Sequence, residues 1–226
     1  MVNYMIHTCL KRLWYVERYL IPSMIEQGID RENIILYVDA HSEGCLKSHV
    51  RSFELASKSD VKGMWHLQDD VVICKDFKER TDGLSSDFTV CGFASEYDSR
   101  KGWKAGDANG LVMWYSFPCI YIPTRIVKSY VDWFNTYVWR DHQYDRWVKA
   151  NKYDDTIFRI YMENYYPKDY VLNLAPNLVD HIDYLIGGTV INEAAERKHP
   201  VRSLYWEDDD VVTDLERRLK DDISKW

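Results

Sequence analysis

The sequence has no C-x-x-C pair, and its five cysteines (Cys9, Cys45, Cys74, Cys91 and Cys119) are odd in number and widely separated. That arrangement excludes a disulfide framework and a zinc knuckle and points to reduced thiols in a cytosol-like compartment. Cys74, behind Val71-Val72-Ile73, and Cys91, closing Phe88-Thr89-Val90, read as small core residues. No apolar run approaches the roughly 18 residues of a membrane helix. The start, Met1-Val2-Asn3-Tyr4, carries no basic leader before an apolar stretch, so the expectation is a soluble, cytoplasmic protein. Positive charge is also short. The 29 Lys and Arg against 36 Asp and Glu leave a net charge of −7, which gives no reason to expect generic nucleic-acid binding, although a local basic patch stays open. Internal repeats and linkers are missing as well.

What is present fits one compact globule. The 226 residues read as a single domain (1–226) long enough to bury a real core, with 46 % hydrophobic and 29 % charged residues. Aromatics are high at 15 %, with 9 Trp and 17 Tyr, which suits flat ligands such as sugars and bases and equally suits an aromatic core.

The first third alternates strand-like and helix-like patterns. Tyr4 to Cys9 reads as a strand, and Leu13 to Gln27 as a helix on its seam of Leu13, Val16, Leu20, Ile21 and Met24, ended by Gly28. Asn33 to Val38 is a continuously apolar strand finishing at Asp39, Lys47 to Ser57 a second helix, and Met64 to Leu67 a third strand. This order predicts an α/β fold with a doubly wound, mostly parallel sheet, because parallel strands need crossover helices. Ligands in such sheets gather beyond the carboxyl ends of the strands, where Thr8, Asp39, Asp69 and Asp70 all fall.

Further on, Phe88 to Phe93 is a strand, Ser95 to Asn109 a polar loop, and Gly110 to Tyr115 and Pro118 to Ile122 two more strands. A helix opens behind Pro123 and runs to about Tyr137, and another runs from Thr156 to Tyr165 behind Asp154-Asp155, which suit its positive end. Val171 to Leu174 and Leu178 to Ile182 are short strands interrupted by Pro176-Asn177. The charge-dense stretch 207–226 has a seam of Val212, Leu215, Leu219 and Ile223 and is read as a surface helix or an oligomer contact.

The most informative feature is Met64-Trp65-His66-Leu67-Gln68-Asp69-Asp70 followed by Val71-Val72-Ile73, a buried strand with an acidic tip. An unpaired charge taken out of water costs several kcal/mol in practice, so two adjacent acids there call for a bound cation or a substrate hydroxyl. The alternative is that they merely cap or solvate the strand end.

In that setting the chain resembles a GT-A type glycosyltransferase. Gln68-Asp69-Asp70-Val71 stands in the place of the family's D-x-D motif, Tyr153-Asp154-Asp155 resembles its later x-E-D motif, and His181 its C-terminal histidine. The likeness spans roughly 4–190 and departs from the pattern at Gln68, where a first acid is usual. It implies a nucleotide-sugar-binding half (1–94), an acceptor and catalytic half (95–206) and the C-terminal charged helix (207–226). It also implies a Rossmann-like GT-A sheet, a UDP-sugar donor and a Mn²⁺ or Mg²⁺ ion that stabilises the leaving diphosphate. Asp70 is then the metal ligand, with His181 a second ligand or a satisfied structural residue; Asp180 or Asp183 either coordinates or orients. Asp69 contacts donor hydroxyls. Asp155, with Asp154 beside it, is the candidate general base of an inverting displacement, or else one of the two caps the helix. Thr8, Arg12 and Asp39 are candidates for the nucleotide, with Asp39 alternatively a turn residue.

The acceptor is the least determined part. Ser99-Arg100-Lys101-Gly102-Trp103-Lys104 could clamp phosphates or stack on a base through Lys101, Trp103 and Lys104, or could be a solvated loop. The expectation leans to hydroxymethylated pyrimidine bases in viral (phage) DNA modified in the host cytoplasm, with a cell-surface glycan precursor as the alternative. A non-catalytic carbohydrate-binding protein is the competing class and has no need of the acid pair. A sugar-phosphate nucleotidyltransferase is disfavoured because Thr8-Cys9-Leu10-Lys11-Arg12 holds no glycine for a phosphate loop.

Overall fold

The computed structural model describes residues 2–82, 84, 87–93, 108–110, 117–138, 154–166, 170–187 and 206–223. Its first third follows the apolar pattern. Strand β1 (Asn3–Cys9) leads into a helical run made of α1 (Leu13–Tyr15), a π-helical turn (Val16–Leu20) and α2 (Ile21–Glu26). The run stops at Gly28, whose φ of +87° suits glycine, and the ends close through N–H donation from Gly28 to Ile25 and from Ile29 to Met24. β2 (Ile34–Asp39), α3 (Cys45–Ser57) and β3 (Gly63–Gln68) come next, with β1 pairing in parallel to both β2 and β3.

Beyond β3 the sheet changes character. β4 (Val71–Ile73), α4 (Phe77–Asp82), β5 (Thr89–Cys91), β6 (Ala108–Gly110) and β7 (Cys119–Pro123) lead to α5 (Thr124–Trp133), extended by a π-helical turn (Phe134–Val138). α6 (Asp154–Tyr165), β8 (Tyr170–Asn173), β9 (Val179–His181) and α7 (Asp209–Ile223) complete the described elements. The main sheet runs β2-β1-β3-β7-β5-β8-β6. β7 enters it antiparallel to both β3 and β5, β5 pairs in parallel with β8, and β6 is antiparallel to β8. The parallel expectation therefore describes the three strands that carry the candidate site, while the α/β sheet as a whole is mixed. Ala108 and Asn109, expected in a loop, belong to the edge strand β6, because pairing with β8 rather than local apolar alternation defines that strand.

Period-2 alternation sorts the strand side chains between two layers. Tyr4, Ile6, Trp65 and Leu67 face a core built with the first helical run, whereas Met5 and Met64 face one built with α3, α5 and α6. α3 forms because Leu46, His49, Val50, Phe53 and Ala56 recur at helical spacing and are all buried. Each large apolar side chain so buried contributes roughly 1.5–3 kcal/mol. α7 is the charge-dense surface helix expected from its seam: Leu215 and Leu219 are buried in the first of these cores while Asp214, Arg217, Arg218 and Lys220 are exposed. Its far end is held by the Tyr19 hydroxyl, which donates to Asp222 (2.5 Å), and by Arg218 over the Tyr19 ring. None of the five cysteines forms a disulfide, and no helix among the described residues is long and apolar enough to cross a membrane.

Candidate active site

The carboxyl ends of β1, β2 and β3 open into a cavity of about 370 Å³, within the range of small-molecule sites. Thr8, Cys9, Leu10, Lys11 and Arg12 form one wall, and Gln68, Asp69 and Asp70 another. Asp39 closes the β2 side, Gly44, Cys45 and Ser48 come from the start of α3, and Asp154 from the first turn of α6. Gly44 takes a φ of +92° to redirect the chain from β2 into the helix.

The acid pair forms the turn between β3 and β4. β4 leaves the main sheet and pairs antiparallel with β9, which sets Val71 opposite His181, and the Ile182 N–H donates to the Asp70 carbonyl. The Tyr15 hydroxyl donates to the Val71 carbonyl at 2.7 Å and ties the turn to the first helical run. The buried Arg12 guanidinium donates through Nη1 to Asp69 Oδ1 (2.8 Å) and Asp70 Oδ2 (2.6 Å). Asp69 Oδ2 accepts from the Thr8 hydroxyl at 2.8 Å and the Cys9 N–H at 3.3 Å. His181 stands behind Asp70, with Nε2 3.3 Å from Asp70 Oδ2 and Nδ1 3.4 Å from Asp183 Oδ1.

Charge pairing answers the burial question that the sequence raised. Desolvation opposes the ionised form of Asp70, but His181 and then Arg12 outweigh it and hold its carboxyl well below the usual range. Asp69 is pushed the other way, by burial first and the Asp70 charge second, against the pull of Arg12 and Thr8. Burial opposes a charged His181, yet Asp70 and Asp183 raise it to about 10, so the ring is an imidazolium at neutral pH. Asp69 and Asp70 thus share the Arg12 guanidinium, and Asp70 and Asp183 flank the His181 ring.

Asp154 is the second buried acid of the pocket. Burial, reinforced by the Asp155 charge, raises it to about 7, and its Oδ2 lies 3.6 Å from His49 Nδ1. Asp155 is not among the residues that line the cavity; its Oδ1 accepts from the Thr156 N–H (2.5 Å) and hydroxyl (3.2 Å). Both acids sit in the first turn of α6, at the positive end of the helix. Asp39 Oδ1 accepts from the N–H groups of His41 and Glu43 at 3.2 and 3.1 Å, the turn role foreseen as its alternative, while the residue also lines the cavity.

Of the candidates, Thr8, Arg12, Asp39, Asp69, Asp70 and Asp154 converge on the cavity, and His181 supports it from behind Asp70. Lys101, Trp103 and Lys104 lie outside the described residues. Sequence reasoning missed His7, Cys45 and Ser48 in the lining and the buried His49 and His66 beneath it. Strand alternation was the available signal, since His7 and His66 fall on the same sheet face as Met5 and Met64, and His49 lies on the buried seam of α3.

Comparison of the chain with protein-family models and with curated proteins finds no match in either. The functional reading therefore stands on this geometry.

Proposed function

We propose that the chain is a metal-dependent glycosyltransferase of the GT-A type, which moves a sugar from a UDP-sugar to a hydroxyl acceptor. The observation that carries the reading is the convergence, on one cavity at the carboxyl ends of parallel strands, of an acid pair, an arginine and a separate buried carboxylate. In open α/β sheets this is the place where nucleotides bind.

The donor set fits a hard divalent cation. Asp70 Oδ1 is buried and has no hydrogen-bond partner among the described residues, which leaves one carboxylate oxygen to offer while the diphosphate and water supply the rest. His181 joins the ligands only by giving up the proton that Asp70 and Asp183 hold on it. When bound, Mg²⁺ or Mn²⁺ supplies charge stabilisation to the departing diphosphate.

The protein's own groups divide the remaining work. Asp69, fixed by Thr8 and Arg12, faces donor hydroxyls; Lys11 and Arg12 lie where phosphates would sit; Asp39 flanks the base position. Asp154 is the base we favour over Asp155. It lines the cavity, and its pKa of about 7 lets it take the proton of an attacking hydroxyl near neutral pH, for an inverting single displacement. The acceptor we infer is a hydroxymethylated pyrimidine in viral DNA, with a cell-surface glycan precursor as the alternative.

A thermal-shift screen of nucleotide sugars with Mn²⁺ tests the reading. A UDP-sugar is expected to raise the Tm of the native protein and not of Asp70→Asn. If no nucleotide sugar binds with Mn²⁺ present, the transferase reading is sunk. Transfer assayed on hydroxymethylated against unmodified DNA then decides the acceptor.

A further inference from the structure

Beneath the cavity, His7 of β1, His49 of α3 and His66 of β3 each offer a ring nitrogen, and these three atoms lie within 4.8 Å of one another. Three different elements deliver them. His7 and His66 project from adjacent parallel strands on the face covered by α3, and His49 comes down from the buried seam of that helix. His49 and His66 are fully buried; the Phe117 backbone lies beside His66, Asp154 Oδ2 is 3.6 Å from His49 Nδ1, and His7 Nε2 is 2.9 Å from the Ser48 hydroxyl, so the rings' remaining nitrogens are short of partners. Phe53 and Phe117 pack on both rings, at centroid distances of 4.1 and 4.8 Å for His49 and 5.4 and 5.1 Å for His66. Buried imidazole nitrogens in an aromatic cage lose their water without compensation, and such groups call for a partner.

We propose that His7, His49 and His66 form a site for a late first-row divalent metal ion, Zn²⁺ by default, separate from the cation held at the acid pair. Imidazole nitrogen is a good ligand for Zn²⁺ and a poor one for Mg²⁺ or Ca²⁺, so the ligand set itself selects the class. A tetrahedral ion with bonds of about 2.0–2.1 Å holds its nitrogens about 3.3 Å apart, so the three rings close inward by rotamer adjustment on binding. All three rings are in the neutral, metal-competent form at pH 7, since burial pulls each of them down, His7 to about 4. His7 and Asp154 line the cavity wall, which gives the ion a route in and leaves a fourth position for water or a ligand oxygen from the pocket. Asp154 Oδ2, 3.6 Å from His49 Nδ1, is placed as the carboxylate that orients a ligating imidazole, a positioning role. The site stands whether or not the chain transfers sugars.

The test uses the full chain, stripped of metal, titrated with Co²⁺ and Zn²⁺. One Co²⁺ per chain with the visible absorption of a four- or five-coordinate nitrogen site is expected, together with a rise in Tm on Zn²⁺ addition. His66→Phe should abolish both while keeping the apo Tm, because a phenyl ring fits the aromatic cage and removes buried nitrogens that are poorly satisfied. Should His66→Phe fail to fold, His7→Phe, at the cavity edge, serves in its place and must lose the Co²⁺ spectrum. Asp154→Asn should weaken Zn²⁺ binding by about 10–100-fold, as loss of an orienting partner does. Asp70→Asn and Cys74→Ser must leave the spectrum unchanged; the latter controls for the other candidate cluster of Cys74, Asp76 and Asp208. A spectrum that survives His66→Phe or His7→Phe, that disappears with Asp70→Asn, or that shows intense thiolate charge transfer overturns the assignment, as does failure to bind either ion.

Discussion

At the end of β3, buried Asp69 and half-buried Asp70 sit beside Arg12 and His181, which carry the opposite charge; under α3, half-buried His7 and fully buried His49 and His66 stay neutral, with Ser48 beside His7 and Asp154 3.6 Å from His49. Both clusters have lost water. The first resolves the loss by pairing, which pulls Asp70 down and His181 up, and the second by giving up charge. A pair that keeps its charges is easily broken by removing one member, whereas a neutral cluster tolerates apolar replacement. The contrast separates groups that are locked from groups that are available to a ligand.

The largest effect should come from Arg12→Leu, which leaves two adjacent buried acids without their shared guanidinium. Urea denaturation should register a loss of about 3–5 kcal/mol. A loss below about 1 kcal/mol would mean that His181 and Thr8 hold the acids without Arg12, and the contrast would fail. Asp154→Asn comes next: transfer should fall by about 10²–10⁴-fold with donor binding retained, the scale of a lost general base. Loss of donor binding instead would move Asp154 from the acceptor side to the donor side.

The two clusters should also respond to pH with opposite slopes in the metal-free protein. His181, raised from 6.5 to about 10, contributes stability that is complete below pH 6.5 and is lost as pH rises through about 10. His7, lowered from 6.5 to about 4, contributes stability that is present above pH 6.5 and is lost as pH falls through about 4. Urea midpoints across pH should show the alkaline limb flattened in His181→Gln, and the acid limb shallower in His7→Gln with the alkaline limb intact. An alkaline limb that also flattens in His7→Gln would merge the clusters. The smallest effect belongs to His49→Phe, which should leave apo stability within about 1 kcal/mol or raise it, since it deletes buried nitrogens whose nearest acid, Asp154, lies beyond hydrogen-bond length at 3.6 Å. A clear destabilisation in a urea melt would mean that the Asp154 contact already holds His49 in the metal-free protein.

Much of this was legible in the residue order. The run from β1 to β3 followed from apolar spacing, Gly28 and the apolar strands ending at acids, and Asp69 and Asp70 fell at a strand end because the pattern turns apolar again at Val71. What the sequence could not supply was partnership. Nothing in Lys11-Arg12-Leu13 announces that Arg12 folds back between two acids, because that depends on the turn after β1 and on Tyr15 reaching Val71. The choice between Asp154 and Asp155 was equally hidden, since adjacent residues of one helical turn point in different directions and only the packing of α6 beside α3 decides which one meets the cavity. The mixed half of the sheet was misread for a similar reason: strand direction beyond β3 is set by where β7 inserts, a tertiary choice with no local signature.

The ribbon of β4 and β9 also sets an order of events. A nascent chain that has emerged only through β3 and β4 already holds Arg12 and both acids, but His181 arrives on β9, long after them in synthesis, and pairs with Val71 only then. Such a contact is strongly non-local and bears the loop-closure entropy of everything between its two strands. The imidazolium that settles Asp70 is therefore the last piece of the acid site to be seated, and a chain truncated before β9 should fold its parallel strands around an acid pair still short of one counter-charge.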